Sequence, residues 1–381
     1  MKYLAQLLLL PIILLVTLPC SAEQNQQESP PALNPVTRTT VFERGEAGYY
    51  GFRIPALLTT PEGTLLAFAE ARKNNLNDSG DIDLVLKRSQ DKGKTWSDLS
   101  VIWNDGENTC GNPCPVVDQS TGRIWLPLTW NHGKDHANQI RDQSGQDTRR
   151  VYMSYSDDDG VTWKQPYEVT ESTKKPEWTW YATGPGNGIQ LTQGKFKGRL
   201  VIPCDHNVTQ QGKVIRRAHA IFSDDHGKTW EFSKPIGEKT NECAVVELAD
   251  GRLLMNMRSY HGKNRRAIAF SDDGGMTWSD VTLDQALIEP VCQASLIRAR
   301  FPDSDKKGQI LFSNPASKKR EKMVVRLSED EGKSWTAARL VTPGSAAYSS
   351  LAVVEEGVIG LLYERDGYKS IEFVSFKLAD F

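Results

Sequence analysis

The chain has 381 residues, a formal net charge of −2 and 39% hydrophobic residues. So small a charge provides no field for a polyanion, which argues against nucleic acid as a partner. The composition is that of a secreted globular domain rather than a membrane protein.

In chain order, Met1 to Ala22 carries Lys2, an apolar stretch through Leu18 and a small-residue cleavage site at Cys20-Ser21-Ala22. This predicts an exported protein, secreted or periplasmic, with no membrane span once the leader is removed. Leu18-Pro19-Cys20 matches a lipobox poorly, so a lipid anchor on Cys20 is the lesser option. Residues 23–35, rich in Gln and Pro, read as a polar linker, and the main domain is expected over 36–381.

Two repeats organise that domain. A turn glycine followed by an apolar run occurs six times, at Gly63 (GTLLAF), Gly122 (GRIWLP), Gly198 (GRLVIP), Gly251 (GRLLMN), Gly308 (GQILFS) and Gly357 (GVIGLL), spaced by 49 to 76 residues. The pattern Ser-x-Asp-x-Gly-x-Thr/Ser-Trp starts at Ser89, Ser156, Ser223, Ser271 and Ser328 and uses five of the ten tryptophans. Each such box follows an apolar or alternating run, which reads as strand, tight turn, strand. The Asp is expected to accept from backbone amides one or two residues on, the Gly to permit positive φ and the Trp to cover the turn. Six units of short antiparallel strands, with no long amphipathic helix pattern competing, predict an all-β chain folded as a six-bladed β-propeller.

Antiparallel strands reverse at every turn, which sorts the two ends of such a propeller. If the glycine turn joins strands one and two of a blade and the box joins strands three and four, both lie on one face. The loops between strands two and three line the other. Seven residues beyond each turn glycine stand Glu70, Thr129, Asp205, Arg258, Pro315 and Glu364, four of them ionisable, so this second rim is expected to carry the chemistry. The box aspartates Asp91, Asp158, Asp225, Asp273 and Asp330 fall on the far face and read as structural, because turn satisfaction explains them without a ligand.

Beyond the leader stand Cys110, Cys114, Cys204, Cys243 and Cys292, an odd number with no disulfide framework. The histidines do not cluster with them at zinc-type spacing, and no metal or cofactor is expected. Buried free thiols are the main expectation, with a Cys110 to Cys114 bridge left open.

Phe52-Arg53-Ile54-Pro55 followed by these boxes resembles the bacterial-type exo-α-sialidases (neuraminidases), from about Val41 to the C-terminus. Boxes alone occur in unrelated propellers; their combination with the FRIP sequence is the specific part. The resemblance implies the sialidase fold and a glycoside hydrolase acting on terminal sialic acid of glycoproteins, gangliosides or oligosaccharides. It also implies a triad that binds the sugar's carboxylate, namely Arg53, Arg258 in MNMRS and Arg320 in NPASKKREK, with Arg326 a close competitor of Arg320. The residue type fits, since planar guanidinium forks match a carboxylate bidentately, and the register places all three on the charged rim.

The resemblance further implies Tyr348 as nucleophile and Glu242 as its base, each nine residues before its turn glycine and therefore at equivalent places. A phenol suits an anomeric carbon that bears a carboxylate. A carboxylate nucleophile would meet a like charge, at about 4 kcal/mol for a separation of about 4 Å and an effective dielectric near 20. A phenol with an ordinary pKa of about 10 needs such a base. Tyr363 and Tyr368 are nearby alternatives. Asp78 is the implied acid and base, with Asp81 as alternative; Arg72 is implied to contact the sugar near its C4 hydroxyl and carboxylate, and Glu364 to orient Arg53. An apolar pocket for the N-acetyl group is implied too, though its lining is not legible. A trans-sialidase or an intramolecular, anhydro-forming variant would use the same residues. A catalytically silent sialoglycan-binding propeller would have no use for Tyr348, Glu242 and Asp78 together.

Overall fold

The apolar runs after the turn glycines form strands buried on both sides, as in Leu65–Arg72 and Ile124–Asn131. Such strands need a partner on each face, and stacking blades around an axis supplies it. The structure, a computed structural model, describes residues 29–381; the expected leader and the first part of the expected linker lie outside them.

Antiparallel pairing divides the strands into six four-stranded meanders. Blade one comprises Gly51–Thr59, Leu65–Arg72, Ile82–Ser89 and Ser100–Trp103. Blade two starts with the split inner strand Thr109–Gly111 and Val116–Val117, and continues through Ile124–Asn131, Arg150–Ser156 and Tyr167–Glu168. Blade three is built on Trp178–Thr183, Leu200–Gln210 and Lys213–Ser223, and blade four on Thr240–Glu247, Leu253–Ser259, Arg265–Ser271 and Thr282–Ile288. Blade five holds Ser295–Arg300, Gln309–Pro315 and Glu321–Ser328. The long strand Ala337–Glu355 closes blade five with its first half and opens blade six with its second. Val358–Arg365 and Ser370–Lys377 follow, and Thr37–Glu43 adds the outer strand of blade six, so the two ends of the domain close the ring together. The segment read as linker already touches this ring: Ala32 bridges Leu340, and Leu33 is buried.

The boxes lie where the register puts them, between the third and fourth strands. In each, the Asp accepts from the amide and hydroxyl of the residue four positions on, not from amides one or two residues on: Asp273 takes Thr277 N at 2.8 Å and Thr277 Oγ1 at 2.5 Å. The box Ser bonds the same Asp and accepts from the Gly amide. Each box also docks on the preceding blade. A Cβ on Gly93 would strike Phe373, on Gly160 Leu66, on Gly227 Trp125 and on Gly332 Leu254, so these glycines are required by close approach as well as by positive φ. Among the six turn glycines, Gly308 is the exception; it lacks the positive φ and is instead crowded by Glu331, Pro302 and Arg298.

All five described cysteines are buried and free, so Cys110 and Cys114 are not bridged. Among the described residues no helix is long and apolar enough to cross a membrane.

Asp273→Ala removes three local hydrogen bonds and loosens the contact of blade four on blade three. We expect a loss of about 1–3 kcal/mol of stability, read as a lower melting temperature, with kcat and KM of the folded protein nearly unchanged. A large loss of turnover at unchanged stability would overturn the structural reading of the boxes.

Candidate active site

Four innermost strands change register as they reach the charged rim: between Arg53 and Ala56, Trp178 and Tyr181, Thr240 and Cys243, and Ala346 and Ser349. A bulge re-aims the side chains it contains. Glu242 and Tyr348 lie inside two of these bulges, and Arg53 borders a third. Ile54 adopts φ +59°, a costly conformation for a β-branched residue, and its amide is held by Glu364 Oε1 at 2.9 Å.

The centre of the rim is one phenol. Tyr348 Oη donates to Glu242 Oε1 at 2.5 Å, and Arg258 Nη1 reaches Glu242 Oε2 at 2.8 Å and Tyr348 Oη at 3.2 Å. The Arg53 and Arg320 guanidiniums lie 5.2 and 5.5 Å from the Tyr348 ring centre. Three guanidiniums thus surround one ring, from blades one, four and five, a grouping that favours a bound anion. Glu364, fully buried, fixes two of these parts at once: it accepts from Arg53 Nε at 2.7 Å and from the Tyr348 amide at 3.1 Å.

Burial and the Glu242 charge push the Tyr348 phenol well above its ordinary range, with Arg258 pulling the other way. The group is therefore a neutral phenol already bonded to a proton acceptor, and it can transfer its proton as it forms a bond. Asp78 stands apart on the loop between strands two and three of blade one, its side chain 68% exposed, with Oδ1 2.9 Å from Arg72 Nη1 and 3.9 Å from Arg53 Nη1. Desolvation by the surrounding rim acts upward on this open carboxyl, but Arg72 and Arg53 outweigh it and hold Asp78 below the usual carboxylate range. Arg72 is itself buried, bonded to Glu70 Oε2 at 2.6 Å and to the Leu76 carbonyl at 2.5 Å. Asp81 does not join this group; its neighbours are Asp83 and Lys73.

The model of the BNR repeat-like domain matches residues 63–361. A sialidase of Micromonospora viridifaciens is 34% identical over 92% of this chain, which spans 55% of that protein's length, and an exo-alpha-sialidase of Aspergillus fumigatus is 33% identical over 84% of this chain and 80% of its own. The solved structure of the Hadza microbial sialidase Hz136 superposes with a TM-score of 0.81 at 32% identity, covering 90% of this chain and 69% of that one. The chain belongs to the sialidase family.

Within this sialidase-family site, all eight residues singled out from the sequence come together on the rim, whereas the competitors Arg326 and Tyr363 go elsewhere. Arg326 bonds Asn314 Oδ1 at 3.3 Å, and Tyr363 bonds Glu372 at 2.9 Å on the outer side of blade six. Tyr368, passed over in the sequence as an alternative nucleophile, has another place: its hydroxyl accepts from Arg320 Nη1 at 2.9 Å, and its ring lies 4.2 Å beneath the Arg53 guanidinium. Its position in the loop between strands two and three of blade six was the signal that could have found it.

Tyr368→Phe keeps the ring beneath Arg53 and removes only the hydroxyl that positions Arg320. We expect kcat/KM on a sialoside to fall about fivefold, mainly through KM, at unchanged melting temperature. An unaltered KM would mean that Arg320 is positioned without it.

Proposed function

We propose that this chain is a retaining exo-sialidase acting on terminal α-ketosidically linked sialic acid of glycoproteins, glycolipids or oligosaccharides. The observation that supports it most is the 2.5 Å bond from the Tyr348 phenol to Glu242 beneath three guanidiniums. In this reading Arg53, Arg258 and Arg320 hold the sugar's carboxylate, which brings C2 over Tyr348 Oη. Oη attacks C2 while its proton passes to Glu242, and Asp78 protonates the departing glycosidic oxygen. Asp78, now a carboxylate, takes a proton from water; the water attacks C2, the C2–Oη bond breaks, and Glu242 returns the proton to Tyr348. Two inversions leave the configuration retained. Arg72 fixes Asp78 beside the leaving oxygen, and Glu364 fixes Arg53.

The test is release of methylumbelliferone and of free sugar from an aryl α-sialoside, followed by NMR. The α anomer is expected first, before mutarotation; the β anomer as first product would rule out the double displacement, and no release at all would favour a binding propeller. Asp78→Asn should damage natural sialosides, whose alkoxide leaves poorly, at least about a hundredfold more than the aryl sialoside, whereas Tyr348→Phe should damage both. Equal damage to both substrates by Asp78→Asn would move the acid elsewhere.

The lowered pKa of Asp78 has a kinetic consequence. In the free protein Asp78 loses its proton at a lower pH than an ordinary carboxyl, because Arg72 and Arg53 favour the anion. A substrate carboxylate on the clamp offsets part of that positive field and raises the value. Since kcat/KM reports the free protein and kcat the complex, the fall toward high pH should occur at a higher pH in kcat than in kcat/KM. Coincident profiles would show that substrate binding does not tune Asp78.

A further inference from the structure

Asp78 stands on an open loop, residues 73–81, between strands two and three of blade one, and the contacts that hold this loop are split between two blades. On one side Arg72 of the same blade bonds the Leu76 carbonyl at 2.5 Å and the Asp78 carboxylate at 2.9 Å. On the other side blade two takes over at the next two residues. Ser79 is 9% exposed, and its hydroxyl lies 2.8 Å from His136 Nδ1; among the described residues this is the one hydrogen bond that the Ser79 side chain makes. Gly80 follows, its amide donating to Thr109 Oγ1 at 3.1 Å and its carbonyl accepting from the same hydroxyl at 2.9 Å.

His136 is itself fixed. It belongs to the loop 132–149 between strands two and three of blade two, where the buried Asp135 accepts from the Gln146 amide at 2.9 Å and the Asp147 amide at 3.0 Å and so ties the two arms of the loop together. The Arg141 carbonyl accepts from Thr209 Oγ1 of blade three, which braces the loop from the other side. Charge explains why the acid needs such a hold. The pairs of Asp78 with Arg72 and Arg53 act on the carboxylate, and they lose their charge-assisted strength once the carboxyl is protonated. A general acid works from that protonated form. The loop then keeps its place through contacts indifferent to the charge of Asp78, and the bonds of Ser79 and Gly80 to blade two are of that kind.

We propose that His136 is a positioning residue for the general acid: through Ser79 it holds protonated Asp78 beside the leaving oxygen. This rests on Asp78 as the acid assigned under the proposed function. His136 acts only through the loop, and its effect is confined to the first displacement. In the second, Asp78 enters as an anion that Arg72 and Arg53 hold without help.

The test compares sialyllactose with the methylumbelliferyl sialoside in wild type, His136→Leu, His136→Asn and Asp78→Asn. His136 is exposed, so leucine there removes the bond without opening the core. His136→Leu should lower kcat/KM on sialyllactose by about tenfold to a hundredfold, mainly through kcat, with the aryl sialoside within about twofold of wild type and the melting temperature unchanged. A merely structural role would lower both substrates together. Asparagine carries an amide atom at the place of Nδ1, so His136→Asn should restore most of the loss. Ser79→Ala should match His136→Leu, and the double variant should be no worse than either single one, because both remove the same bond. Equal damage to both substrates, no effect on either, or losses that multiply in the double variant would overturn the positioning role alone, provided Asp78→Asn still separates the two substrates. If Asp78→Asn harmed both equally, the acid assignment would fall and the positioning role with it.

Discussion

The site depends on one buried carboxylate. Glu364 accepts four hydrogen bonds, two from the Arg53 guanidinium, one from the Ile54 amide and one from the Tyr348 amide. It belongs to the last blade, Arg53 and Ile54 belong to the first, and Tyr348 lies on the inner strand of the last. The contact that fixes Arg53 against Tyr348 is therefore also a contact across the seam where the ring closes. An ionised group taken wholly out of water is tolerable only when it is paired and its lone pairs are filled. Here the filling groups are the ones that the proposed chemistry needs fixed, including the left-handed Ile54 that no local preference would produce.

The same place in other blades shows the same device. Seven residues past its turn glycine, Glu70 accepts from the Asn112 amide of blade two, and Asp205 from the Asn241 side chain of blade four. Each acid reaches forward to the inner strand of the next blade. Boxes reach backward on the opposite face, each against the preceding blade. Cohesion on one face is thus carried by turns with no chemistry, and on the other by ionisable groups partly released for it. Arg258, at the seventh place in blade four, turns instead to Glu242 and Tyr348.

This division explains what could be read from the sequence. Turn glycines and boxes are local and repeated, so strand order, the two faces and the charged rim followed from spacing; Tyr348 and Glu242 came from the family resemblance, and spacing added that their places are equivalent. What sequence left unread depends on register shifts and loop contacts made between blades. Tyr368 joins the clamp because a three-residue left-handed stretch, Asp366 to Tyr368, turns its ring beneath Arg53. Arg149 and Trp180 meet because a bulge in one blade faces a loop of another. The box aspartate bonds four residues on rather than one or two for a local reason: the box closes a wider turn than a simple Asx turn, with the Gly amide taken by the Ser.

Charge balance selects the ligand. Around Tyr348 stand Arg53, Arg258 and Arg320, against which the structure sets Glu364 on the first and Glu242 on the second; Arg320 has only the neutral Tyr368 hydroxyl. Arg320 alone of the three has no carboxylate partner, so its positive charge is the one that a substrate carboxylate neutralises and a neutral sugar does not. A free carboxylate in the place of Tyr348 would already have cancelled that charge and weakened the clamp. A phenol kept protonated by burial leaves it available until the substrate arrives. In the proposed mechanism a phenol thus serves binding before it serves attack: the nucleophile would carry no charge while the anion enters, and would give up its proton to Glu242 only as the bond to carbon forms.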